Sequence, residues 1–232
     1  MMCRGWPLLS MLALAACSDA PTAPKQEPAA PEASARSETI AVAGPERRIL
    51  AFGDSLFAGY GVREQEGYPE QLEAALRAEG MNARVTDAGV SGDTSAAGRQ
   101  RIAFVLDSLA APPDLAIVEL GGNDLLRGVS PAETRDNLAA ILAELRERRI
   151  PVLLMGMRAP PNLGEAFVRE FDRLYPDLAR QYGAALVPFF LEPVYDQPAL
   201  IQQDRIHPTA EGIEALVAAT ADDVLKALPG ES

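Results

Sequence analysis

The sequence predicts an α/β domain, a five-stranded parallel sheet held between two layers of helices. Three observations carry this. Short apolar runs of strand length alternate with longer segments whose apolar residues recur at helical spacing. Strands joined through helices in this way lie parallel and put helices on both faces of the sheet. The alternating stretch, from about Arg48 to Leu228, is long enough for one domain with a sizeable core. It shows no internal repeat.

Each element follows from its own residues. Ile49-Leu50-Ala51-Phe52 is a continuous apolar run, as a strand buried on both faces requires. Tyr68 to Glu79 places Leu72, Ala75 and Leu76 at helical spacing and is closed by Gly80. Ala83 to Asp87 reads as a weaker second strand. Thr94 to Leu109 reads as a helix with Ile102, Val105, Leu106 and Leu109 on one side. Leu115 to Leu120 is a third strand. Ser130-Pro131-Ala132-Glu133 has the form of a capping box with proline at the first helical position. It opens a helix to about Arg149, with Leu138, Ile141, Leu142 and Leu145 inside. Pro151 to Met157 is a fourth strand. The helix from Glu165 to Tyr182 carries Pro176, where a disturbance is expected. Ala185 to Pro188 is a short fifth strand, and Thr209 to Leu228 is the closing helix.

In such a sheet ligands bind beyond the carboxyl ends of the strands. Ser55 follows the first strand, Gly92 the second, Asn123 the third, and residues 157–164 the fourth. One sheet edge is therefore expected to collect them.

The N-terminal residues have a different character. Met1-Met2-Cys3-Arg4 precedes an apolar run from Leu8 to Ala16, too short to span a bilayer as a mature helix but suited to a secretory signal. Leu14-Ala15-Ala16-Cys17 resembles a bacterial lipobox, which implies cleavage before Cys17 and lipidation of its sulfur; ordinary signal cleavage at small residues is the alternative. Ser18 after the cysteine suits sorting to the outer membrane, facing the periplasm, although Asp19 follows directly. The stretch from Ser18 to about Arg48 is rich in Pro, Ala and polar residues without apolar periodicity, and reads as a semi-extended tether. The expected division is a signal peptide at 1–16, a lipidated cysteine and tether at 17–47, and the folded domain at 48–229. That places the protein in a bacterial cell envelope, bound to a membrane through its lipid.

Cys3 and Cys17 are the only cysteines, so the folded domain has no disulfide and stands on its core alone. Without a Cys/His cluster there is no basis for a structural zinc site. The formal net charge of −12 argues against nucleic acid as a partner and against electrostatic binding to anionic lipid.

Chemistry is suggested by four short motifs. His207 is the single histidine, in Asp204-Arg205-Ile206-His207-Pro208. Serine hydrolysis needs a base that titrates near neutrality, and Asp204, three residues earlier, suits the task of orienting the ring. Alone, such a histidine more often caps or packs a helix. Phe52-Gly53-Asp54-Ser55 ends the first strand in a turn, where a serine hydroxyl is exposed and its N–H is free for an oxyanion. Gly53 is read as allowing a tight turn and Asp54 as bracing it; alone, the motif serves equally as a helix cap. Ser91-Gly92-Asp93-Thr94 offers a glycine N–H or simply a capped turn. Gly121-Gly122-Asn123-Asp124 offers an amide donor or simply a turn tolerant of positive φ. Neither the P-loop nor the dinucleotide pattern is present.

Taken together and in order, Gly53-Asp54-Ser55-Leu56, Gly92, Gly121-Gly122-Asn123-Asp124 and Asp204-Arg205-Ile206-His207 resemble the four blocks of the SGNH (GDSL) hydrolases. Val118 to Gly128, Pro188-Phe189-Phe190 and Gln203 to Pro208 resemble the bacterial thioesterase I, lysophospholipase L1 and arylesterase branch. The resemblance implies a flavodoxin-like three-layer fold and a serine esterase that uses no cofactor and no metal. It implies Ser55 as nucleophile, His207 as base and Asp204 as its orienting carboxylate. It implies an oxyanion hole of the Ser55 N–H, the Gly92 N–H and the Asn123 amide. Small-molecule esters follow as substrates: aryl esters, short-to-medium acyl esters, thioesters or lysophospholipids. The alternatives are a carbohydrate O-acetylesterase and a non-catalytic acyl- or lipid-binding lipoprotein. Two departures from the branch stand out. Leu125 stands where close relatives can carry Gly, and Ala159 is small within the segment 157–162 that matches a substrate wall.

Overall fold

The computed structural model describes residues 42–230. The signal, the lipidated cysteine and most of the tether expected from the sequence lie outside the described residues.

Five parallel strands, β1 (Arg47–Gly53), β2 (Ala83–Gly89), β3 (Leu115–Glu119), β4 (Val152–Met155) and β5 (Ala185–Val187), form one sheet in the order β2-β1-β3-β4-β5. Helices α1 (Tyr68–Ala78) and α6 (Ala210–Ala227) pack on each other, while α2 (Ser95–Ser108), α4 (Pro131–Glu147) and α5 (Glu165–Tyr182) form a second contiguous group. A short helix, α3 (Gly122–Leu126), follows β3 where the sequence suggested only a turn. The predicted five-stranded three-layer fold is the one observed.

The strands are apolar because both faces are covered. Ile49 to Phe52 and Leu115 to Val118 are each fully buried, and they pair directly, with Leu50 opposite Ala116 and Phe52 opposite Val118. Burying one such side chain is worth about 1.5–3 kcal/mol, so these strands anchor everything attached to their ends. The strand order reverses its direction of growth between β1 and β3, and in open sheets of this order the ligand crevice lies at that point. Ser55 leaves β1 and Asn123 leaves β3 at this switch.

Two local expectations need correction. The capping box at Ser130 is only half formed: Ser130 Oγ accepts the Glu133 N–H at 3.2 Å, and no reciprocal bond from the Glu133 side chain occurs among the described residues. Glu133 is exposed and gains as much from water. Pro176 does not break α5, which runs unbroken from Glu165 to Tyr182. Phe171, Leu174, Tyr175 and Leu178 are buried on both sides of the proline, and their packing outweighs the one lost backbone bond.

Candidate active site

The serine loop is built on an aromatic floor. Beyond Gly53, Asp54 Oδ1 accepts the Leu56 N–H at 3.1 Å, the side-chain turn typical of aspartate. The Ala58 N–H donates to Asp54 O at 3.0 Å and the Tyr60 N–H to Ser55 O at 3.2 Å. Beneath this coil Phe57 stacks on Tyr68 at 5.0 Å between ring centroids, and Phe190 meets both rings edge-on. Tyr68 in turn shares a hydrogen bond of 2.7 Å with Thr220 on α6. Gly53, read from the sequence as allowing a tight turn, ends β1 without a positive φ. It is demanded by close packing: a Cβ there would lie 2.8 Å from Phe57 Cδ2 and 2.9 Å from Glu119 O.

His207 reaches this loop from the segment before α6. Its Nε2 lies 2.8 Å from Ser55 Oγ, and its Nδ1 lies 2.6 Å from Asp204 Oδ2. Asp204 Oδ1 also accepts the N–H groups of Ile206 and His207 at 2.9 and 3.0 Å, so the carboxylate is clamped to the backbone it serves. Partial burial works to raise the Asp204 carboxyl. The hydrogen bonds from the His207 ring and the His207 and Ile206 backbone outweigh it and hold the carboxyl at about 2. Arg205, between the two, has φ of 61°, a left-handed conformation that costs a side-chain-bearing residue about 1–2 kcal/mol.

Two residues outside the sequence motifs complete this arrangement. Gln202 Nε2 donates to Tyr60 O at 2.8 Å and to Pro208 O at 2.7 Å, tying the serine loop to the histidine loop. Tyr60 lays its ring 4.3 Å from the imidazole, tilted by 33°. The available signal was Gly59-Tyr60-Gly61, two glycines with φ of 65° and 78° framing an aromatic residue just after the serine motif.

Across the crevice, α3 carries Asn123, whose Nδ2 donates to Asp54 Oδ2 at 2.9 Å. One amide hydrogen is thereby fixed and the other remains for a ligand. Asp124 anchors the helix: fully buried, it accepts from the Ser95 N–H at 2.8 Å, from the Ser95 hydroxyl, and from Thr134 Oγ1 at 3.1 Å. Both Asp54 and Asp124 thus brace the loops, as the sequence suggested. Asp124→Ala is expected to cost about 3 kcal/mol or more by leaving these buried donors unpaired. Urea unfolding should show a lower midpoint at unchanged slope, and an unchanged midpoint would contradict the anchoring role.

Gly92 has φ of 87°, which a side chain would strain, and its carbonyl accepts Arg127 Nη2 at 2.8 Å. Among the described residues the N–H groups of Ser55 and Gly92 donate to no other protein group. Both residues border one cleft with Asn123 and His207, with a volume of about 750 Å³. Its walls are largely apolar, from Leu125, Leu126, Met157, Leu163, Phe189 and Leu191. Ala159 is buried and does not line the cleft; its N–H donates to Asp172 Oδ1 at 2.9 Å, so its small size serves packing behind the wall. The structure therefore brings Ser55, Gly92, Asn123, Asp204, His207 and the bracing Asp54 together at one sheet edge.

Comparison with known proteins places the chain in a family. The GDSL-like Lipase/Acylhydrolase family matches residues 51–215. Esterase TesA of Pseudomonas aeruginosa is 42% identical over 160 residues, covering 69% of this chain and 79% of its own. The arylesterase of Vibrio mimicus is 35% identical over 181 residues, covering 78% and 90%. The crystal structure of AlinE4, an SGNH-hydrolase family esterase, is 66% identical with a TM-score of 0.69, covering 81% of this chain and 100% of AlinE4. With a family match across most of the described domain, and relatives of this identity over most of their own length, the chain belongs to the GDSL-like lipase/acylhydrolases and is an SGNH-type serine esterase.

Proposed function

We propose that this chain hydrolyses carboxylic esters through an acyl-enzyme on Ser55, with His207 as base and Asp204 as its orienting carboxylate. The observation that carries the reading is the continuous hydrogen-bond chain Asp204 Oδ2 to His207 Nδ1 and His207 Nε2 to Ser55 Oγ, at 2.6 and 2.8 Å. Nδ1 donates to the ionised Asp204, which leaves Nε2 as the acceptor of the Ser55 proton. Attack of Oγ on the ester carbonyl gives a tetrahedral oxyanion. The Ser55 and Gly92 N–H groups and the second amide hydrogen of Asn123 are its donors. His207 then protonates the leaving alcohol or thiol, and afterwards takes a proton from water to release the acid. Tyr60 against the imidazole restricts the ring to the plane in which both bonds persist. The test is labelling with a fluorophosphonate followed by peptide mapping. The adduct is expected on Ser55; an adduct on Ser91 would overturn the reading.

Asn123→Ala is expected to lower kcat by about 10²–10³ with little change in KM, because the bond forms with the oxyanion and not with the ground-state carbonyl. A raised KM at constant kcat would make Asn123 a substrate-binding group instead.

The apolar cleft walls support acyl and aryl esters over acetylated glycans: aryl esters, short-to-medium acyl esters, and lysophospholipids outside the cytoplasm. A panel varying acyl length and leaving group reads this directly. The N-terminal sequence supports an envelope lipoprotein attached through Cys17 at the outer membrane, facing the periplasm. Cys17→Ser is expected to move the protein to the soluble fraction without loss of esterase activity. Unchanged membrane fractionation would refute the anchor.

A further inference from the structure

The end of β3 holds a carboxyl group that the reaction as described does not use. Glu119 stands opposite Gly53 in the β1–β3 pairing and is fully buried. Its Oε2 accepts the Asp54 N–H at 3.4 Å, and the two carboxyl groups act on each other's ionisation. Its Oε1 is buried with no partner among the described residues. The missing Cβ of Gly53 makes the room, since a carbon there would lie 3.0 Å from Glu119 Oε2. The motif glycine, the buried acid and Asp54 therefore form one unit behind the nucleophile.

We propose that Glu119 is a positioning residue for the oxyanion hole, holding Asp54 and through it the amide of Asn123. The inference rests on the reading of Asn123 as an oxyanion donor. Asp54 uses Oδ1 for the Leu56 N–H and Oδ2 for Asn123 Nδ2, so both of its oxygens act as acceptors. A carboxylate so engaged is the ionised member of the pair, and the shared proton then resides on Glu119. An ionised Glu119 would place an uncompensated charge on its unpartnered oxygen, a far larger cost than a neutral acid incurs. Burial pushes the Glu119 carboxyl well above the usual range and the Asp54 charge pushes it further. Burial also raises Asp54, against the opposing effect of the N–H of Leu56, Glu119, Asn123 and His207.

The charged and titratable surroundings fit a neutral acid. Tyr175, buried on α5, donates its hydroxyl to Leu120 O at 2.9 Å and stays protonated, its ionisation opposed first of all by burial. The nearby cation, Arg101, is spent elsewhere. It bonds Gly53 O, Ala88 O and the Asp93 carboxylate, and lies over the Phe52 ring. With Glu119 neutral, the Asp54 charge is directed toward Asn123.

The experiment is a double-mutant cycle with the full chain, combined with infrared spectroscopy. Glu119→Leu removes the donor at similar volume and is expected to lower kcat by about 10²-fold, as a small misplacement near the reacting atoms does, with KM little changed. Combined with Asn123→Ala, it is expected to be no worse than Asn123→Ala alone, because both changes act on one donor. Glu119→Gln, which can still donate to Asp54 and accept its N–H, is expected to keep most of kcat. The wild-type spectrum at neutral pH is expected to contain a protonated-carboxyl C=O band that Glu119→Gln lacks. Multiplicative effects in the cycle, wild-type kcat in Glu119→Leu, or a spectrum unchanged by Glu119→Gln would overturn the proposal. A Glu119→Gln enzyme as impaired as Glu119→Leu would also overturn it. If Glu119→Leu does not fold, the kcat and spectrum of Glu119→Gln decide alone. Wild-type kcat in Asn123→Ala would instead remove Asn123 from the oxyanion hole, and this inference with it.

Discussion

Ser55→Ala is expected to lower kcat by roughly 10⁶-fold, the scale on which loss of a triad serine acts in serine hydrolases generally. The residual rate comes from water attacking an ester that the Ser55, Gly92 and Asn123 donors still polarise, and amounts to about 10³–10⁴ over the uncatalysed reaction. Folding is expected to be little affected. The hydroxyl faces the cleft and its one strong bond is to His207 Nε2, which water can replace. The cleft also keeps its shape, because the loop is held by Asp54, Phe57 and Gln202. The variant is therefore expected to bind substrate with nearly unchanged affinity while failing to turn it over and failing to take a fluorophosphonate. Steady-state kinetics, thermal melting and intact mass check these points together. Turnover within tenfold of wild type in a folded Ser55→Ala protein would exclude Ser55 as the nucleophile.

Asp204→Asn is the second large effect. Only neutral imidazole accepts the Ser55 proton, so kcat/KM falls on the acidic side as the single histidine becomes protonated. Asp204, held at about 2, stays ionised across that whole limb, so one proton and one histidine account for it. The asparagine variant removes the carboxylate that lies 2.6 Å from Nδ1 and fixes the ring tautomer. The plateau is expected to fall by up to about 10⁴-fold where the amide favours the wrong ring tautomer. The backbone bonds to Asp204 Oδ1 help the variant keep the turn, so the loss reports on the ring and not on folding. An unchanged plateau would show that Asp204 does not act on His207, and the catalytic unit would need another carboxylate.

Much of the fold is legible in the sequence because strand and helix patterns are local. Leu50 and Ile117 sit in continuous apolar runs, and Leu138, Ile141, Leu142 and Leu145 repeat at helical spacing. Those periods already contain the five strands, the five long helices and the edge at which Ser55, Gly92 and Asn123 meet. The four motifs point to Ser55, His207 and Asp204, which the structure joins in one hydrogen-bond chain.

What stays hidden in the sequence depends on contacts between residues distant in the chain. Gly53 looks like a turn glycine and is in fact a space for Glu119, a residue far along the chain that reads in sequence as one polar letter ending an apolar strand. Gln202 looks like any surface glutamine and bridges two loops. The helix α3 has too few residues to show a period, and α5 passes through Pro176 because its neighbours bury both halves. Local period and side-chain chemistry are enough to set the order of elements, the core faces and the residues that meet at the crevice. They are not enough to say how those groups are held. The hydrogen bonds that hold them, from Glu119 to Asp54 to Asn123 and from Gln202 to both loops, exist only once the sheet has brought β1 beside β3 and the closing segment against the first turn.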